Sequence, residues 1–89
     1  MVELLHYPHG IHAVDAGYIR PQLAAIHLIV EYGRVAVVDT ASNACLPRVL
    51  EALRALDLTP ASVDYVFLTH VHLDHAGGAG AMMHAFPEA

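Results

Sequence analysis

The chain has no lysine and no tryptophan, and its 89 residues carry only four basic side chains against nine acidic ones. With a net charge of -5, it has no basic stripe to neutralise phosphates, so nucleic acid is not expected as a partner. A phosphodiester substrate is not excluded, because metal ions could supply the missing positive charge. A single cysteine, Cys45, rules out an internal disulfide and suits a reducing compartment. The start, Met1-Val2-Glu3-Leu4-Leu5, lacks the basic region and apolar core of a signal peptide. The longest apolar stretch, residues 23–30, is broken by His27 and is far too short to span a bilayer. These absences point to a cytoplasmic protein with no membrane association.

Histidine, by contrast, is abundant, with eight residues. Four potential metal ligands crowd into Thr69-His70-Val71-His72-Leu73-Asp74-His75-Ala76-Gly77-Gly78. Imidazoles and carboxylates hold zinc, iron or manganese in hydrolytic sites. The apolar run Val63 to Leu68 reads as a buried strand leading into this loop. His70 and His72, two residues apart, project to the same side of an extended backbone and can grip one ion. A turn at Asp74-His75 would carry those two toward a second point nearby. One short loop can therefore serve two cations a few Å apart. A purely structural zinc site would close four ligands and favour cysteine, and this loop has none.

Hydrophobic residues make up 56% of the chain and charged residues 15%, against about a quarter charged in a typical domain. A short chain buries a smaller share of its surface than a full domain does. Such an apolar excess suggests surfaces meant to be covered by something else.

Along the chain, Leu4 to Tyr7 and Ile11 to Asp15 read as short strands around Pro8-His9-Gly10. Residues 17–21 read as a loop, and residues 24–31 and 34–39 as a hairpin turning at Tyr32-Gly33. Leu46, Val49, Leu50, Leu53 and Leu56 recur at helical spacing, with Pro47 in the first turn. Thr59-Pro60 marks a cap before the strand at residues 65–68. Residues 76–86 predict a helix lying close against the sheet, with Gly77, Gly78 and Gly80 permitting near approach and Pro87 ending it. No repeat or linker divides residues 1–89, which form one unit or part of one. His27 is expected to be a core histidine with one satisfied hydrogen bond. His84 reads as structural, Met82 and Met83 as core fillers, and Cys45 as a buried, inert thiol. His12 is a candidate to face the site from its strand, and Tyr18 and Arg20 lie in a loop that could flank a substrate.

The run Thr69 to Gly78 resembles the metallo-β-lactamase fold superfamily, whose signature T-H-x-H-x-D-H-x-G-G it matches at every fixed position. The resemblance implies that His70 and His72 bind one metal and that Asp74 and His75 bind a second. Asp74 would also manage the proton of the attacking water, and Asp39, closing the strand before Thr40-Ala41, would brace the loop. The family's D-T-G is here Asp39-Thr40-Ala41, so the glycine is missing. The implied fold is α+β, the amino-terminal half of a four-layer αββα sandwich, placed nearest the glyoxalase II-like members. The implied activity is hydrolysis of an ester, thioester, lactone or similar bond in a small-molecule substrate. The cofactors would be two divalent cations, zinc first, with iron or manganese as alternatives. The family's later ligands have no counterpart in this chain. The expectation is therefore a partial domain whose carboxy-terminal half is absent, or one that assembles as a homo-oligomer. The alternative is a truncated, non-catalytic piece that binds metal weakly or works with a partner chain.

Overall fold

The computed structural model describes residues 3–19, 23–72 and 76–89. Five strands form one sheet in the order β1-β2-β3-β4-β5: β1 Leu4–Tyr7, β2 Ile11–Asp15, β3 Ala25–Glu31, β4 Arg34–Val38 and β5 Val63–Phe67. The first four pair antiparallel in sequence order, β1 with β2 and β3 with β4 through short turns, and β5 joins β4 in parallel. Parallel neighbours need a long crossover, which α1, Leu46–Ala55, supplies. A second helix, α2, spans Ala79–Ala85.

The sheet is built on side-chain alternation. Ile26 and Leu28 point to one face of β3, and Ala25, His27 and Ile29 to the other. The first face carries both helices. There Val14, Ile26, Leu28, Val35, Val37 and Val63 pack with Val49, Ala52 and Leu53 of α1, with Met82 of α2 and with Phe86. The opposite face is open. Ile29, Tyr65 and Phe67 are exposed on it, and the Tyr65 and Phe67 rings stack with centroids 5.6 Å apart.

The expected strands and α1 are present within a residue or two of their predicted ends. Thr59 and Ser62 cap the turn before β5 with reciprocal hydrogen bonds. Two expectations fail. His27 is exposed on the open face rather than in the core, because alternation gives the helix side to Ile26 and Leu28. Met83 is 45% exposed while Met82 is buried, since α2 offers the sheet only one stripe. The helical region after the loop is also divided, with a turn at residues 77–78 before α2. Among the described residues no helix is long and apolar enough to cross a membrane.

Candidate metal centre

The parallel pairing of β4 and β5 brings the ends of both strands to one edge of the sheet. Val38 pairs with Phe67, and the Asp39 N–H donates to the Phe67 carbonyl at 2.7 Å. Strand geometry then ends. Asp39 turns into the left-handed region with φ 69°, which aims its carboxylate across to the residue that opens the metal loop. Asp39 Oδ1 accepts the Thr69 N–H at 2.8 Å, and Thr69 Oγ1 lies 3.0 Å from Oδ1 and 2.8 Å from Oδ2. Asp39 is 8% exposed, and a buried carboxylate of this kind is tolerated because both oxygens are hydrogen-bonded.

The chain of contacts continues to His70, whose Nδ1 lies 2.9 Å from Thr69 Oγ1. A threonine hydroxyl has one proton. The hydroxyl donates that proton to the Asp39 carboxylate, since charge-assisted bonds are the stronger ones. The hydroxyl is then an acceptor, and His70 Nδ1–H donates to it. That pattern assigns the tautomer with the lone pair on Nε2, the state in which an imidazole ligates a metal through that nitrogen.

His72 lies on the same side as His70. The two rings are nearly parallel, at 24°, with centroids 6.2 Å apart. A shared ion with nitrogen ligands at about 2 Å requires the ring centres to be no more than about 6 Å apart. The observed spacing lies just beyond that limit, so the exposed His72 ring must turn before both can reach one ion. The two imidazoles are of the residue type that holds a divalent cation. Asp74 and His75 lie outside the described residues. Among the described residues no group of three or more His, Cys, Asp or Glu side chains converges as a metal site.

The far side of the loop is tied back to the same strand end. Ala41 forms a parallel bridge with Ala76, and the Ala76 N–H donates to the His72 carbonyl at 2.8 Å. The Gly78 N–H reaches the Ala41 carbonyl at 2.7 Å and Thr40 Oγ1 at 2.9 Å. A Cβ on Gly78 would lie 2.7 Å from the Thr40 carbonyl oxygen and 2.8 Å from that of Ser42. Glycine is needed here for close approach of backbone to backbone. Gly80, expected to serve the same purpose, faces open space. Ala41, standing where the signature has glycine, is buried with φ 51°. The turn therefore keeps its left-handed shape without the residue that adopts it most readily.

Other candidates lie elsewhere. His12 faces the helix side of β2, with β3 and β4 lying between it and β5, and pairs with His6. His84 is exposed on α2. Cys45 is buried, with its Sγ 3.5 Å from Ser42 Oγ. Tyr18 is partly buried against the core, and Arg20 lies outside the described residues. A cavity of about 510 Å³ is lined by Glu3, Asp15, Leu23, Arg48 and neighbouring alanines, and no residue of the metal loop lines it. Residue-by-residue reading gave no role to Thr69. Its fixed place in the signature, directly before a ligand histidine and opposite the Asp39 strand end, was the available signal.

Comparison with known proteins places this arrangement. The chain's fold matches that of the metallo-beta-lactamase MIM-1 from Novosphingobium pentaromativorans, with a TM-score of 0.77 and 24% identity over 94% of this chain and 29% of that one. A motif mutant of the metallo-beta-lactamase from Cronobacter sakazakii gives 0.78 and 23%, over 94% and 31%. The class B3 di-zinc metallo-beta-lactamase LRA-12 from an Alaskan soil metagenome gives 0.78 and 16%, over 96% and 30%. The five-stranded sheet with its two helices thus corresponds to the amino-terminal part of that fold, and the chain spans less than a third of each of these proteins. No curated protein matches it. Residues 19–89 match the family model described as the metallo-beta-lactamase superfamily, and the chain belongs to that superfamily.

Proposed function

We propose that this chain carries the first metal-binding loop of a metal-dependent hydrolase that cleaves an ester, thioester, lactone or similar bond in a small molecule. The observation that supports this most is the relay Asp39–Thr69–His70, which ties the loop to the strand end and aligns the His70 ring. His70 Nε2 and the ring of His72 would hold one cation, and Asp74 and His75 a second. When bound, two such cations, zinc first and iron or manganese as alternatives, supply a strong nucleophile from water near neutral pH and offset charge developing on the substrate oxygen. The chain's own groups do the rest. Asp39 holds the loop through Thr69, and the Asp74 carboxylate takes the proton released by the attacking water. The buried Cys45 thiol suits the reducing cytoplasm.

The test is an assay of a protein containing this chain and the rest of the fold against a thioester, a lactone, a phosphodiester and a β-lactam, with zinc, manganese and iron in turn. Activity should vanish with chelator and return with metal. Asp74→Asn should lower the rate about 10²-fold or more if Asp74 handles the proton. Full activity in that variant, or hydrolysis indifferent to chelator, would overturn the reading. This chain alone should be inactive and should retain zinc weakly.

A second reading draws on the open face of the sheet. Leu5, Tyr7, Ile29, Tyr65 and Phe67 are exposed on it, and exposed apolar patches mark surfaces that meet another partner. In this reading the chain works as a piece of an assembly, with a further layer of sheet or a second copy covering that face. Light scattering decides. Oligomers or aggregates of the isolated chain are expected, and a monodisperse monomer with a cooperative melt would count against it.

A further inference from the structure

Beyond the metal loop, a second pair of imidazoles is held together on the opposite side of the sheet order. We propose that His6 and His12 form a separate surface site for a divalent transition-metal ion, of the kind that imidazole selects: copper, nickel or zinc. The two residues are direct cross-strand partners in the β1–β2 hairpin. Cross-strand partners share a face, and here that is the helix-bearing face, since His12 is also in register with buried Leu28. Their rings meet edge to face, with centroids 4.8 Å apart and an interplanar angle of 85°. The Nδ1 atoms approach to 2.6 Å and so are the converging points of the two rings.

Two nitrogens bound to one ion at 2.0–2.1 Å stand about 3 Å apart. Parting the Nδ1 atoms by a few tenths of an ångström admits the ion, and His6, exposed at the sheet edge, can move that far. The backbone beneath is fixed. The turn at Pro8–Gly10 closes the hairpin, and Gly10 packs so tightly on β3 that a Cβ there would lie 2.1 Å from the Val30 carbonyl oxygen. A rigid hairpin presents both ligands without an ordering cost on binding. No third His, Cys, Asp or Glu joins them among the described residues, so water completes the coordination. The site is correspondingly weak and open, and its preference follows the general order for nitrogen ligands, with copper bound most tightly. Desolvation, followed by the neighbouring His6, lowers the pKa of His12, which favours the neutral ring that a metal requires.

The test isolates this pair from the metal loop. Equilibrium dialysis against Cu²⁺ and Ni²⁺ is performed on the full chain carrying His70→Ala and His72→Ala. About one equivalent of copper should be retained through the hairpin. Either His6→Gln or His12→Gln should remove that equivalent, while His9→Gln and His84→Gln should not. In the chain with an intact loop, His6→Gln should leave zinc binding at His70 and His72 unchanged, so failure at one site is distinguishable from failure at the other. Retention unaffected by both hairpin substitutions, or lost equally with His9→Gln and His84→Gln, would overturn the proposal. So would amide spectra of His6→Gln that match the parent while copper remains bound.

Discussion

The two faces of this sheet are made by the same strands and have opposite fates. On the helix side Ile26, Leu28 and Val37 are wholly buried, while on the other Ile29, Tyr65 and Phe67 are 40%, 61% and 51% exposed. Both faces nonetheless carry large apolar side chains. A sheet with one solvated face normally alternates apolar and polar residues, whereas strands covered on both sides read as continuous apolar runs. By that criterion the open face is mixed, apolar at Ile29, Tyr65 and Phe67 and polar at His27, Arg34 and Asp64. The sequence pattern of β4, Val35-Ala36-Val37-Val38, is that of a strand flanked by protein on both sides.

Substitution should separate the faces first and most strongly. Leu28→Ala removes a fully buried side chain and should cost about 2–5 kcal/mol, whereas Ile29→Ala in the isolated chain should cost well under that. Urea denaturation of the two variants measures the gap, and equal costs would mean that the open face is already covered in solution.

The seam between the sheet edge and the metal loop gives the next effect. Gly78→Ala forces a methyl against two carbonyl oxygens and should destabilise by about 1–3 kcal/mol, because backbone rather than a flexible side chain must give way. Ala41→Gly should act in the opposite direction. It relieves a left-handed residue that costs about 1–2 kcal/mol, against about 0.5–1 kcal/mol of added chain entropy in the unfolded state. A rise in melting temperature is expected, and a clear fall would show that the Ala41 methyl contributes more in the core than its backbone costs.

The smallest effect concerns the β1 edge. In the folded protein the His12 pKa lies below the ordinary imidazole value, through desolvation and then His6. The unfolded chain therefore binds more protons as the pH falls through the imidazole range, so stability is highest above that range and declines as pH falls below it. Denaturation midpoints at about pH 7.5 and about pH 5.5 should differ less in His12→Gln than in the parent. On the open face, Arg34 and Asp64 form an ion pair whose carboxylate is held below its usual range by the guanidinium hydrogen bond. It is solvent-exposed, and added salt should weaken it with little change in fold stability.

Local pattern made much of this legible. Period-two alternation located the strands, helical spacing located α1, and the density of ligands located the loop. What escaped were properties of register and close approach. His6 and His12 are six residues apart, and only the hairpin register sets them face to face. The role of Thr69 depends on β4 and β5 being parallel neighbours, which puts Asp39 beside it from thirty residues away. His27 was misjudged because an apolar run does not reveal which of its alternating residues meets a helix and which meets the open side. The left-handed Ala41 could not be read from alanine itself, only from the glycine that the signature has there.

The central claim is that Asp39, acting through Thr69, presents His70 as a metal ligand. Nitrogen-15 spectra of the histidine rings test it directly, recorded on the isolated chain before and after zinc is added. The account predicts that His70 carries its proton on Nδ1 and that zinc shifts its Nε2 resonance together with a ring resonance of His72, while Thr69→Val mixes the His70 tautomers and weakens the zinc response. A His70 ring protonated on Nε2, or one that zinc leaves unmoved, would contradict it.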